Sequence, residues 1–124
     1  MGDDGGVIEQ FFSRLIAGDW YGLRALLAPE MERIGPWGDR IVGRDRCIEM
    51  MTSIPSGPSN VPDVHRIAYT PDRRSGFARS TAHPALGPVS EIEQILEFVM
   101  DDQGLVSLIG VFWQTPDSAP PISD

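Results

Sequence analysis

Lysine is missing from this chain; all ten of its basic residues are arginine. That absence excludes Schiff-base catalysis and the lysine of a phosphate-binding P-loop. Cysteine is nearly missing too. Cys47 stands alone, so no internal disulfide can form. With one cysteine and two separated histidines, a structural metal site is not expected. No cofactor is expected either. Positive charge is scarce, with 10 basic against 18 acidic residues and a formal net charge of −8. That balance opposes phosphate backbones and anionic lipid, so neither nucleic acid nor a membrane is an expected partner. No apolar run approaches the roughly 18 residues of a spanning helix. The opening Met1-Gly2-Asp3-Asp4 lacks the basic and apolar regions of a signal peptide. The expectation is a soluble cytoplasmic protein.

What is present fits one globular domain: 124 residues, of which 41% are hydrophobic. The domain is expected over residues 1–115. Residues 116–124, with three prolines, form a flexible tail.

Val7, Ile8, Phe11, Phe12, Leu15 and Ile16 fall on one helical face, which predicts an amphipathic helix over residues 6–17. Gly18 suits the left-handed C-terminal cap, and Asp19 can cap a second short helix. Trp20, Leu23, Leu26 and Leu27 give that helix its apolar side, and Pro29 limits its run. Residues 31–35 read as a short strand, Gly35-Pro36-Trp37-Gly38 as a turn, and residues 40–42 as the return. A third helix is expected over residues 44–54. Cys47, Ile48, Met51 and Ile54 form its apolar stripe, which makes Cys47 a buried thiol rather than a nucleophile.

Beyond the Pro-rich loop at residues 55–62 the pattern alternates. Strands are expected at 64–70, 77–83, 91–100 and 105–114. Asp101-Asp102-Gln103-Gly104 joins the last two as a hairpin. Helices followed by an antiparallel meander make an α+β layout. The last strand is apolar on both faces: Leu105, Ile109, Val111 and Trp113 on one, Val106, Leu108 and Phe112 on the other. Such a strand needs cover on both sides. The helices supply one cover, and a second copy of the chain, in a homodimer through the outer sheet face, supplies the other.

The order of motifs carries a resemblance. Ala17-Gly18-Asp19, then Ala25-Leu26-Leu27-Ala28-Pro29-Glu30-Met31, a Gly-Pro-x-Gly turn, and Gly43-Arg44-Asp45 opening the third helix are similar to SnoaL-like members of the NTF2-like superfamily. The resemblance implies a cone: three N-terminal helices packed on a curved, mostly antiparallel sheet around an apolar pocket. Polyketide cyclases, ketosteroid isomerases and limonene-epoxide hydrolases share it, as do non-catalytic modules. Ketosteroid isomerases use an aspartate base with a tyrosine and a protonated aspartic acid. Matched to them, the chain places Phe11 at the tyrosine, Gly35 at the base and Leu96 at the second acid. The isomerase groups are therefore absent, and Phe11 and Leu96 become candidate pocket lining. Matched to the epoxide hydrolases, Arg79 meets their arginine. Thr81 and Gly110 stand where the two carboxylates would be.

The remaining candidates come from alternation. Phe77, Arg79, Thr81 and His83 share one strand face. If that face is concave, His83 can move a proton and Arg79 can hold a carbonyl or carboxylate. A solvated strand face is the plainer alternative. His65 also lies on a strand. Glu91, Glu93 and Glu97 share the outer face of their strand, opposite Ile92, Gln94, Leu96, Phe98 and Met100. Gln94 is then the odd polar residue of the inner face and a candidate hydrogen-bonder. Trp37, Tyr69 and Trp113 are candidate lining with polar tips, against plain core packing. Two readings stand. One is a pocket protein for a small apolar molecule, catalytic or not, of polyketide, terpenoid, steroid-like or aromatic carbonyl type. The other is a non-catalytic dimerisation or protein-binding module.

Overall fold

The structure, a computed structural model, describes residues 6–53, 63–82 and 92–114. The chain begins with the expected helix, α1 (Val7–Ala17), whose Ile8, Phe11 and Phe12 are buried. Gly18 ends it in the left-handed region at φ 72°. The Asp19 carboxylate accepts from the Gly22 N–H at 2.9 Å and caps α2 (Trp20–Arg24). Strand β1 (Leu27–Ile34) starts four residues earlier than the pattern suggests and runs through Pro29. Its register shifts between Leu27 and Glu32. Proline has no N–H to give, and an irregular stretch of strand asks for none. The Gly35–Asp39 turn leads into β2 (Arg40–Val42), and Gly43 into α3 (Arg44–Ser53). Cys47 is fully buried on α3.

The alternating half forms β3 (Asp63–Tyr69), β4 (Ser75–Ala82), β5 (Ile92–Met100) and β6 (Val106–Gln114). Together the strands make one six-stranded sheet in the order β2-β1-β6-β5-β4-β3. The α+β expectation holds. β3 to β6 are an antiparallel meander, as expected. The pairing of β1 with β6 is parallel, a connection the linear pattern does not announce.

The inner face of the sheet meets the helices. Phe11, Phe12 and Phe98 meet edge to face, with centroids 5.1–6.1 Å apart. Leu27, Met31, Leu96, Met100, Val106, Ile109 and Val111 close around them. On β5 the buried positions are Ile92, Leu96, Phe98 and Met100, and Gln94, half-buried, shares their face. That is the face expected for it.

On strand β4 the plainer alternative, a solvated face for Phe77 and Arg79, is the one found. The inner face of β4 carries Gly76, Ala78 and Ser80, paired with Phe98, Leu96 and Gln94. Phe77, Arg79 and Thr81 point outward. The cause is the closeness of α1 and β3. A Cβ on Gly76 would stand 2.7 Å from Ile8 Cδ1 and 2.7 Å from the Ala68 carbonyl. Only small residues fit under the helix, so the bulky ones face out. On β6 a register shift next to Ser107 brings Val106 to the inner face beside Ile109, Val111 and Trp113. Leu108, Gly110 and Phe112 lie outside.

Candidate functional site

The two ends of this sheet differ. At one end lie the β3–β4 and β5–β6 turns and the start of α1. Tyr69 sits there, on the inner face opposite Gly76. Its hydroxyl accepts from the Ile8 N–H at 3.0 Å and donates to the Glu9 carboxylate. The first N–H groups of a helix lack partners within it, and Gly6 offers α1 no side-chain cap. Tyr69 therefore caps α1 from across the fold. Burial, then the bond to Glu9, pushes the Tyr69 phenol up to about 12. Arg73 lies 4.1 Å over its ring. Tyr69 is thus a structural latch, about 13 Å along the sheet from Gln94 by the rise of four strand residues.

The other end holds Ser80 on β4, Gln94 on β5 and Trp113 on β6, with the β1–β2 turn beside them. The Trp113 Nε1–H donates to Gln94 Oε1 at 3.1 Å. The Gln94 Nε2–H donates to Ser80 Oγ, also at 3.1 Å. An indole can only donate, so it fixes which end of the Gln94 amide faces it. Ser80 is fully buried, so Gln94 satisfies a hydroxyl that would otherwise be costly. Trp37 stands edge-on to Trp113 at 5.8 Å and 82°, and is 80% exposed. Its backbone N–H donates to Asp39 Oδ1 at 3.3 Å. Asp39 Oδ2 lies 3.9 Å from Arg33 Nη1. Arg33 pairs with Ile109, which sets it on the inner face. Burial pulls its guanidinium below the ordinary value, an effect that Asp39 and Cys47 partly oppose. A continuous string therefore runs from Arg33 through Asp39, Trp37, Trp113 and Gln94 to Ser80. It rims a core that is otherwise apolar.

Three of the predicted lining residues, Trp37, Gln94 and Trp113, come together here. Phe11 and Leu96 lie in the core. Tyr69 belongs to the opposite end. Arg79 is exposed on the outer face, directly across from Arg66 and beside Ile95, so it does not line the mouth. The inner positions of β4 belong to smaller residues, for the packing reason given above. His83 lies outside the described residues. Arg33, Asp39 and Ser80 are the site residues that the alternation left unchosen. The signal for Arg33 is its strand parity with Met31, a core residue.

A second polar group occupies the outer face. Thr81, only 6% exposed, donates to Glu93 Oε2 at 2.8 Å. With its one proton so used, it accepts from His65 Nε2 at 2.6 Å. His65 reaches it from the position where the β3 register shifts. This chain of contacts satisfies a buried hydroxyl between two exposed side chains. Two surface depressions lie elsewhere. One, about 420 Å³, is bordered by Tyr69, Arg73 and Asp102; the other, about 450 Å³, by Arg40, Ile41 and Glu49. Among the described residues no group of three His, Cys, Asp or Glu is placed to hold a metal ion, and no helix is long and apolar enough to cross a membrane.

No protein-family model matches the chain, and no curated protein matches it. Solved structures do. A cystatin-like-fold protein of unknown function from Methylobium petroleophilum aligns over 95% of this chain and 79% of its own, at 15% identity and TM-score 0.78. A candidate ketosteroid isomerase from Kribbella flavida aligns over 94% and 81%, at 21% identity and TM-score 0.77. A steroid delta-isomerase from Pseudomonas aeruginosa aligns over 89% and 78%, at 18% identity and TM-score 0.69. At such identities the likeness is one of fold: the NTF2-like, cystatin-like cone.

Proposed function

We propose that this NTF2-like cone binds a small, largely apolar molecule at the end of the sheet rimmed by Trp37 and Trp113, and that it does so as a homodimer. The ligand class is a polyketide, terpenoid, steroid-like or aromatic carbonyl compound. One observation carries the reading. The Trp113–Gln94–Ser80 hydrogen-bond chain and the exposed Trp37 stand beside an apolar core that includes Leu96 and Phe11. Flat aromatic surface with a few convergent polar groups is the usual make-up of a small-molecule site. Two of the similar structures carry isomerase names. Phe11, Gly35 and Leu96 stand at the three matched isomerase positions, so an isomerase relying on those groups is not the reading.

The test is a thermal melt of the full chain against aromatic and terpenoid probes. A ligand that binds the native state alone raises the midpoint. The expected result is a rise with at least one probe class, reduced in Trp113→Ala. A midpoint unmoved by every probe at near-millimolar concentration overturns the pocket.

The homodimer rests on the outer face. Phe77, Ile95 and Phe112 are 45%, 44% and 57% exposed there. Arg66 and Arg79 face one another on one flank, and neither lies within ion-pair distance of a described acid. Glu97 lies nearby on the same face, over Gly110. A second copy turned about a two-fold axis sets the arginines of one against the glutamates of the other and covers the aromatics. Sedimentation should give a dimer, and Phe112→Glu a monomer. A monomer for the unaltered chain removes this part. The filled Phe11–Phe12–Phe98 core favours one alternative, a dimerisation or protein-binding module with no ligand.

A further inference from the structure

Glycine at position 35 is not required by the backbone. The described glycines with positive φ are Gly18, Gly38, Gly43 and Gly104, and Gly35 is not among them. What position 35 needs is space. A Cβ there would stand 2.5 Å from both oxygens of Asp39 and 2.7 Å from its Cγ. The carboxylate of Asp39 thus fills the volume that a side chain at 35 would take. Residue 35 follows Arg33 by two along the chain, so that volume lies on the inner side. Asp39 is held there by the Trp37 N–H and by the Gly35 N–H, which donates to the Asp39 carbonyl at 2.7 Å.

Arg33 and Asp39 form a long ion pair with no direct hydrogen bond between them. Their 3.9 Å separation is too long for a hydrogen bond. The Arg33 guanidinium, four-fifths covered on its side chain, makes no hydrogen bond to a described residue. Its donors and the carboxylate oxygen are instead spaced for one atom between them. An oxygen about 2.8 Å from each would see the two at roughly a right angle, an ordinary arrangement for a bridging hydroxyl.

Resting on the pocket reading, we propose that Arg33 and Asp39 form a hydroxyl-binding subsite, which selects an alcohol or phenol over an ether or hydrocarbon of the same shape. The bridging atom must accept from a guanidinium and donate to a carboxylate. A hydroxyl does both. A carbonyl only accepts, an ammonium only donates, and a carboxylate is repelled by Asp39. Trp37 and Trp113 lie along the same rim and receive the ring that carries the hydroxyl.

The experiment is calorimetric titration of the full chain at neutral pH with 2-naphthol, 2-methoxynaphthalene and naphthalene. The expected result is 2-naphthol binding about tenfold more tightly than its ether, the scale of one net hydrogen bond at a partly exposed site. Asp39→Ala and Arg33→Met should each bring that ratio to about one. Gly35→Ala should do the same with both charged groups intact, because the new methyl displaces the carboxylate. Equal affinity for naphthol and ether in the unaltered chain overturns the subsite and leaves the pocket standing. So does a preference that survives Asp39→Ala. No binding by any of the three overturns the pocket, and the subsite with it.

Discussion

The latch end and the rim end of the sheet use the same kinds of side chain to opposite effect. At the latch end an aromatic with a polar tip, Tyr69, turns its hydroxyl inward to cap α1 and bind Glu9. Its polar atoms are consumed by the fold. At the rim, Trp113 and Trp37 keep much of their surface in solvent, 39% and 80% exposed, and of their two indole N–H groups only that of Trp113 donates to a described residue. Arg73 is spent on the Tyr69 ring, whereas Arg33 has a long ion pair with Asp39 and no hydrogen bond to a described residue. Between the two ends, Phe11, Phe12 and Phe98 fill the core. The latch end, with a depression of about 420 Å³ beside Tyr69, spends its hydrogen bonds on the fold, whereas the rim leaves aromatic surface exposed.

Three measurements press on that contrast. The largest effect belongs to the divider. Phe98→Ala should cost about 3–5 kcal/mol in urea unfolding, since a fully buried ring leaves a cavity that two other rings line. A cost below about 1 kcal/mol would mean the centre is loosely packed and the two ends communicate. Next comes the latch. Tyr69→Phe should cost about 1–2 kcal/mol, because the Ile8 N–H and Glu9 lose their shared partner. The latch also has a pH signature. The native state favours the neutral phenol, so its contribution is complete below about pH 10, the unfolded value, and is lost as pH rises toward about 12. That alkaline loss should be smaller in Tyr69→Phe; an identical alkaline profile would show that the phenol is not held by the fold. Smallest is the rim. Trp37→Ala should change stability by less than about 0.5 kcal/mol, as for other exposed side chains. A larger loss would make Trp37 part of the core and erase the distinction between the ends.

Much of the fold was legible because each element announces its period. The helical spacing from Val7 to Ile16 and the alternation on β5 both held, and Gly18 and Asp19 marked the break between α1 and α2. Alternation gives a face but not its sign. On β4 the sign depended on how near α1 and Ala68 come to Gly76, which no local pattern contains. Arg79 thus lies on the solvated face, the plainer of its two alternatives, because Ala78 and Ser80 hold the inner positions. The site was legible at Gln94, a lone amide in an apolar row, and at Trp37 and Trp113. It was not legible at Arg33 and Asp39, since Glu32 and Arg33 compete for one inward place and only the pairing with Ile109 decides it. Pro29 likewise reads as a breaker, yet it lies inside β1 at an irregular stretch where no ladder bond is owed.

The parallel seam between β1 and β6 has a temporal side. Leu27 pairs with Val106, and Ile34 with Gly110, so the first of the described strands shares its ladder with the last of them. As the polypeptide leaves the ribosome, β1 has only the three residues of β2 beside it. Its other edge stays open until β6 emerges. Nascent chains of this architecture therefore carry an unmated β1 edge while β3, β4 and β5 are made, and that edge is paired only once β6 has emerged.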